Sequence, residues 1–222
     1  MIKRIEKETV LIMSKIILDL CGGTGAWSRP YKEAGYIVIN VTLPFYDLLK
    51  TEIKCDYIIF QGGSKKPLKI RISDVYGILA APICTMFSKA RTTAKTPRDF
   101  RGGMKLVIAC LNIIWECRYD HKLAFWCLEN PRGYLNQFLG IPVFTFNPCD
   151  FGHPYTKKTY LWGYFKIPKK KNSVEPEFVY FKSGKRMSKM MYEASLKSKK
   201  NSKILKSITP AGFAKAFFEA NK

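Results

Sequence analysis

The chain has 222 residues, 47% of them apolar, and 38 Lys and Arg stand against 17 Asp and Glu for a net charge of +21. That length supports one packed core with a small appendage, and that apolar share excludes a disordered or low-complexity chain. The longest apolar runs, such as residues 76–83, fall far short of the ~20 residues of a membrane helix. The first 15 residues carry no clean apolar stretch followed by a small-residue cleavage site, so neither a membrane-spanning nor an exported protein is expected.

In chain order, residues 1–13 read as an extension, because the folded pattern starts at Ser14. Residues 16–20 read as a buried strand, followed by a Gly-rich turn and a helix over 28–34; residues 36–41 are the next strand. Residues 56–60 and 68–72, joined by Gly62-Gly63-Ser64-Lys65-Lys66-Pro67, look like a hairpin insertion. Residues 75–80 form a strand that ends at Pro82. Apolar residues at 104, 107, 108, 111, 114 and 115 give residues 99–118 the spacing of an amphipathic helix. Residues 124–128 are another strand, and 159–163 pair with 178–181 as the last two. Strands alternating with helices predict an α/β fold with a mainly parallel sheet, whose ligands bind beyond the carboxyl ends of the strands.

Residues 165–207 change character, with 13 Lys and Arg against three Glu. They read as a solvated, partly mobile basic arm. Order returns with Ile208-Thr209-Pro210, where Thr209 is expected to cap a helix with Pro210 at its first position. So large a charge on one domain points to a polyanionic partner, nucleic acid before an anionic membrane surface. The seven cysteines are odd in number and lack CxxC spacing, and most lie in apolar runs. Reduced thiols in a cytoplasmic protein fit that pattern better than disulfides or zinc. With two distant histidines, His121 and His153, no metal site is expected.

Three stretches carry chemistry. Leu18-Asp19-Leu20-Cys21-Gly22-Gly23-Thr24-Gly25-Ala26-Trp27-Ser28 follows a strand and opens a helix, so its backbone can approach a ligand closely. It lacks the spacing of a dinucleotide fingerprint and of a P-loop. Ala81-Pro82-Ile83-Cys84-Thr85 places a cysteine just past a strand end, where a thiolate can act as a nucleophile. Cys127-Leu128-Glu129-Asn130-Pro131 places a carboxylate at the same edge, able to donate a proton to a ring nitrogen.

In this order the three resemble the cytosine-5 DNA methyltransferase family, and a fourth stretch, Asp150-Phe151-Gly152-His153-Pro154-Tyr155-Thr156-Lys157-Lys158-Thr159, matches its basic motif. The resemblance covers residues 14–163 and is nearest to the short, phage-type members. It implies a Rossmann-like S-adenosylmethionine-dependent methyltransferase domain over 14–164. The basic arm of 165–207 then stands in place of a target-recognition region, and a C-terminal helix over 208–222 closes the domain. It implies S-adenosylmethionine held by Asp19, Leu20, Cys21, Gly22, Gly23, Thr24, Gly25, Trp27, Thr42, Asp47 and Pro82. Cys84 would attack carbon 6 of a cytosine flipped out of duplex DNA, and Glu129 would engage ring nitrogen 3. DNA contacts would come from Ser88, Arg91, Asn130, Lys157, Lys158, Lys169, Lys170, Lys171, Lys185 and Arg186. A monomer in a bacterial cytoplasm, encoded by a phage, is the matching context.

The chain departs from the family at Ile83, Thr85 and Pro131. Lysines stand where the basic motif uses arginines, and Val41-Thr42-Leu43-Pro44 lacks the ribose-binding acid. The short recognition interval also leaves open the same chemistry on RNA or a modified base, and the missing acid with the Ile83 and Thr85 changes leaves open an inactive fold that binds DNA.

Overall fold

The computed structural model describes residues 15–92, 94–119 and 123–222. The extension read over residues 1–13, and His121, lie outside them. Among the described residues no helix is long and apolar enough to cross a membrane, and no cluster of three His, Cys, Asp or Glu could hold a metal ion.

The architecture is α/β. Strands β1 (Ile16–Leu20), β2 (Ile37–Val41), β3 (Glu52–Lys54), β4 (Tyr57–Phe60), β5 (Leu68–Arg71), β6 (Val75–Ala80) and β7 (Phe125–Pro131) are followed by β8 (Phe144–Phe146), β9 (Thr159–Tyr164), β10 (Phe178–Tyr180) and β11 (Arg186–Ser188). Helices α1 (Arg29–Glu33), α2 (Phe100–Tyr119), α3 (Asn136–Leu139), α4 (Lys189–Ser195), α5 (Lys199–Ser207) and α6 (Ala211–Asn221) flank them. The main sheet has the order β2-β1-β6-β7-β9-β8. Its first four strands are parallel, and β9 and β8 close that edge antiparallel.

The alternation of buried residues along β1 explains the layering. Ile16, Leu18 and Leu20 face a core filled by Val107, Cys110, Ile113 and Ile114 of α2 and by Ile58, Phe60 and Ile70 of a separate β3-β4-β5 sheet. Ile17, with Leu79 and Phe125, faces the opposite core of Trp27, Tyr31, Phe213 and Phe217. Phe213 of α6 stacks on Phe146 with ring centroids 3.9 Å apart, and the Gly212 N–H donates to His153 Nε2 at 3.2 Å.

Four expectations change. The hairpin of β4 and β5 forms, but β3 joins it. Residues 159–163 and 178–181 do not pair: β9 is zipped between β7 and β8, whereas β10 pairs with β11 as a separate two-stranded ribbon. β8 and β3, each three residues long, are too short to show a period in sequence. Within residues 165–207 the chain forms that ribbon and helices α4 and α5, so the basic arm is a folded module. Finally, α6 begins at Ala211 with Pro210 as its N-cap, one residue later than the Thr209 cap implies.

Candidate active site at the carboxyl edge of the sheet

Register sets the geometry. Leu20 of β1 lies opposite Ala80 of β6, and Ala80 lies opposite Leu128 of β7. The next residues, Cys21, Ala81 and Glu129, therefore leave one row of the sheet together, and the Gly-rich turn, the Pro-Cys loop and the glutamate share one edge. β7 runs on to Pro131, beyond the expected end, because β9 continues to pair with it from Glu129↔Leu161 to Pro131↔Thr159.

The turn is held from below by Asp19, which is fully buried. Its Oδ2 accepts from Ser28 Oγ at 2.5 Å, and its Oδ1 has no partner among the described residues. Burial pushes its pKa up to about 6, against the lowering effect of Ser28. A Cβ on Gly22 would collide with this carboxylate, so glycine is needed where the turn crosses Asp19. Cys21 takes a φ of 58°, and its N–H donates to the Val41 carbonyl. The Cys110 thiol of α2 donates to its sulfur, which lowers the Cys21 pKa. Asn40 Nδ2 donates to Gly23 O at 3.1 Å from the end of β2, while Asn40 Oδ1 is buried without a partner among the described residues. Asp47, assigned to the cofactor, caps a short 3-10 turn by accepting from the Leu49 N–H. The carbonyl of Thr42 accepts from the Phe45 and Tyr46 N–H groups. Trp27 is a packing residue: its ring lies 2% exposed against Phe213 and Phe217, away from the surface of the turn.

Cys84 is half-buried, and its carbonyl accepts from the Phe87 and Ser88 N–H groups, which folds the loop into a turn. Burial and, next, the charge of Glu129 raise its thiol pKa, and Lys157 opposes them. Glu129 is also raised by burial and lowered by Lys157. One ammonium thus acts on both the thiol and the carboxyl, and the Glu129 charge acts on the thiol. Lys157 Nζ is held by the Lys206 carbonyl at 2.8 Å, at the end of α5.

Asn130 corrects an expectation. It is fully buried, and its Nδ2 donates to the Pro82 carbonyl at 2.9 Å. It ties the Glu129 strand to the Cys84 loop and offers no surface to DNA. Ser88 bridges to Gly133, and its Oγ accepts from the Ala90 N–H. A Cβ on Gly133 would collide with the Phe87 carbonyl, so glycine permits that close approach. Arg91 spends its guanidinium on Thr96 and the Pro97 carbonyl. Arg98, which sequence reasoning missed, donates to the carbonyls of Met86, Ser88 and Arg91 and lies 4.9 Å above the Tyr134 ring. A lone arginine in a polar loop gives no periodic signal.

Lys158, Lys169, Lys171, Lys185 and Arg186 are exposed. Lys170 pairs with Asp150 at 3.0 Å. A cleft of about 420 Å³ opens beside the turn, lined by Ala26, Arg29, His153, Tyr155, Lys197 and Thr209 among others. A smaller one of about 160 Å³ lies against Arg132, Tyr134 and Tyr160. Neither is lined by Cys84 or Glu129. No protein-family model and no curated protein matches the sequence.

Proposed function

We propose that this chain is an S-adenosylmethionine-dependent DNA cytosine-5 methyltransferase on a Rossmann-like fold. The observation that carries the reading is the shared edge of the Gly22–Gly25 turn, Cys84 and Glu129, with Lys157 acting on both reactive groups. A mixed sheet whose parallel strands present this edge is the right scaffold for it.

The turn suits the cofactor. Its glycines leave the backbone bare, and no bond to the N–H groups of Gly22, Gly23 and Thr24 occurs among the described residues. The orphaned Oδ1 of Asn40 at the end of β2 supplies an acceptor near the position where the expected acid is absent. Gly22, Gly23, Thr24, Asn40, Thr42 and Asp47 would hold the cofactor, which supplies an electrophilic methyl group when bound.

The protein's own residues do the rest. The Cys84 thiolate adds to carbon 6 of the cytosine, its electron pair forming the S–C bond while the C5–C6 π pair is displaced onto carbon 5 and, by conjugation, ring nitrogen 3. Glu129, kept protonated more readily by burial, donates its proton to ring nitrogen 3, which neutralises the charge that the addition places there. After carbon 5 is methylated, its proton passes to water, the C–H electron pair restores the C5–C6 double bond, and the S–C6 bond breaks to expel the Cys84 thiolate. Glu129 then takes back the proton from nitrogen 3. The edge of a duplex base pair does not reach this row, so the base leaves the stack.

Duplex DNA carrying 5-fluorocytosine tests the scheme, because fluorine at carbon 5 cannot leave as a proton. With S-adenosylmethionine present, a covalent complex stable to denaturant is expected with the wild type and none with Cys84→Ala. A denaturant-stable complex in Cys84→Ala, or none in the wild type, contradicts the reading.

A further inference from the structure

We propose that Cys21 and Cys110 form an oxidation site, which hydrogen peroxide converts to a disulfide that pulls the Gly-rich turn out of shape and stops ligand binding there. The pairing itself needs nothing from the methyltransferase reading. Only its consequence for S-adenosylmethionine rests on that reading.

Two elements far apart in sequence bring the thiols together. Cys21 is the first residue past β1, and Cys110 lies midway along α2, which packs on that face of the sheet. Cys110 is fully buried in the core under α2, and half-buried Cys21 packs against the same core. The two sulfurs are in hydrogen-bond contact, and both are free thiols. A covalent S–S bond of about 2.05 Å is far shorter than such a contact, so its formation draws the two residues together. α2 is anchored around Cys110 by Val107, Ile113 and Ile114, so the turn is the part that moves. That turn has little slack. Cys21 already holds a φ of 58°, a conformation that favours glycine, and its N–H donates to the Val41 carbonyl at 2.9 Å. Gly22 lies against the buried Asp19 carboxylate, where even a Cβ would collide. Drawing Cys21 towards α2 therefore strains the bond to Val41 and drags Gly22 across Asp19.

The two thiols have different parts to play. Cys21 is accessible in part, and the Cys110 donor lowers its pKa against the opposing effects of burial and the Asp19 charge. Cys84, Cys127 and Cys149 are all shifted upward, chiefly by burial. Thiolate character and access select the thiol that a peroxide attacks, so Cys21 reacts first. Its thiolate takes one oxygen from hydrogen peroxide: the O–O bond breaks, hydroxide leaves, and the sulfur becomes a sulfenic acid. The Cys110 sulfur, already in contact, then attacks the Cys21 sulfur. The S–S bond forms, the S–O bond breaks, and the departing hydroxide takes the Cys110 proton as water. Two electrons pass from the thiols to the peroxide, and a dithiol returns them by exchange. Cys110, fully buried, is out of reach of the oxidant itself and serves to resolve the sulfenic acid.

Peptide mapping of the full chain after brief treatment with hydrogen peroxide tests the pairing. The wild type is expected to give linked peptides carrying Cys21 and Cys110, two hydrogens lighter than their sum and separated by dithiothreitol. Cys110→Ala should instead carry Cys21 on to sulfinic acid, which dithiothreitol does not reverse. Amide hydrogen exchange on the oxidised wild type should show the Cys21 and Gly25 N–H groups, both hydrogen-bonded in the reduced protein, exchanging several-fold faster. Calorimetry with S-adenosylmethionine should then show at least tenfold weaker binding to the oxidised protein, restored by dithiothreitol. A wild-type map without the link overturns the pairing, whatever the variant does. A link that leaves both exchange and binding unchanged overturns its effect on the turn. Failure of reduced and oxidised protein alike to bind S-adenosylmethionine counts against the methyltransferase reading, while the linked peptides and the exchange rates still decide the oxidation site.

Discussion

Asp19 shows what burying a carboxyl beneath a glycine-rich turn does to stability. Its pKa moves from an ordinary 3.8 to about 6 because burial disfavours the charge more than Ser28 stabilises it. The folded state therefore holds the proton more tightly than the unfolded chain does. The resulting stabilisation is complete below about pH 4 and is lost as the pH rises through about 6. Two units amount to about 3 kcal/mol. Urea unfolding at pH 4 and pH 7 should show Asp19→Asn lacking that loss, with the wild type declining by about 3 kcal/mol more than the variant between the two. Lys157 acts in the opposite sense on Cys84. Removing its charge in Lys157→Met should raise the thiol pKa and slow alkylation of Cys84 by iodoacetamide at pH 7.5, as followed by mass spectrometry. An unchanged alkylation rate would mean that the ammonium does not reach the thiol. Cys84 and Glu129 could be placed from sequence because each follows a recognisable apolar run, residues 75–80 and 124–128. Asn130 and Arg98 could not be assigned their roles, because what they bind is backbone carbonyl, which leaves no mark in sequence.

At the level of elements, the loop that carries Cys84 depends on two clamps. Asn130 supplies the only hydrogen bond to the Pro82 carbonyl among the described residues, and Arg98 gathers three carbonyls of the loop that carries Cys84. Asn130→Ala should lower unfolding stability by about 1–3 kcal/mol, the cost of leaving a buried acceptor unpaired. Arg98→Ala, by contrast, should leave the global melt nearly unchanged while trypsin cuts after Lys89, Arg91 or Lys95 several-fold faster, since only the loop opens. Equal cleavage rates would show that the aromatic contacts of Phe87 with Phe100 and Phe138 hold the loop unaided. The same scale explains where sequence reading stops. Strands β1, β6 and β7 and helix α2 are legible from period and length. By contrast, the antiparallel closure by β8 and β9 depends on a three-residue strand and on pairing with β7 across a long connection, and the β10–β11 ribbon is a short hairpin in a Lys-rich stretch whose composition resembles a loop.

For the whole molecule, charge is the dominant property. With +21 on 222 residues, binding to duplex DNA should weaken steeply with salt, by about 0.9 in log–log slope for each phosphate engaged. Lys169 and Lys171 are exposed, whereas Lys170 is paired with Asp150. Changing Lys169 and Lys171 to Ala should therefore make the slope shallower by up to about 2, whereas Lys170→Ala should chiefly loosen the chain around Asp150. A Lys170→Ala effect on slope as large as that of the pair would place the DNA along a different face. The central claim concerns chemistry, and one experiment addresses it directly: transfer of tritiated methyl from S-adenosylmethionine to duplex DNA, with the product digested to nucleosides. The account predicts label in 5-methylcytosine with the wild type and none with Cys84→Ala. Label in another nucleoside, label that survives loss of Cys84, or no label despite bound S-adenosylmethionine would contradict it.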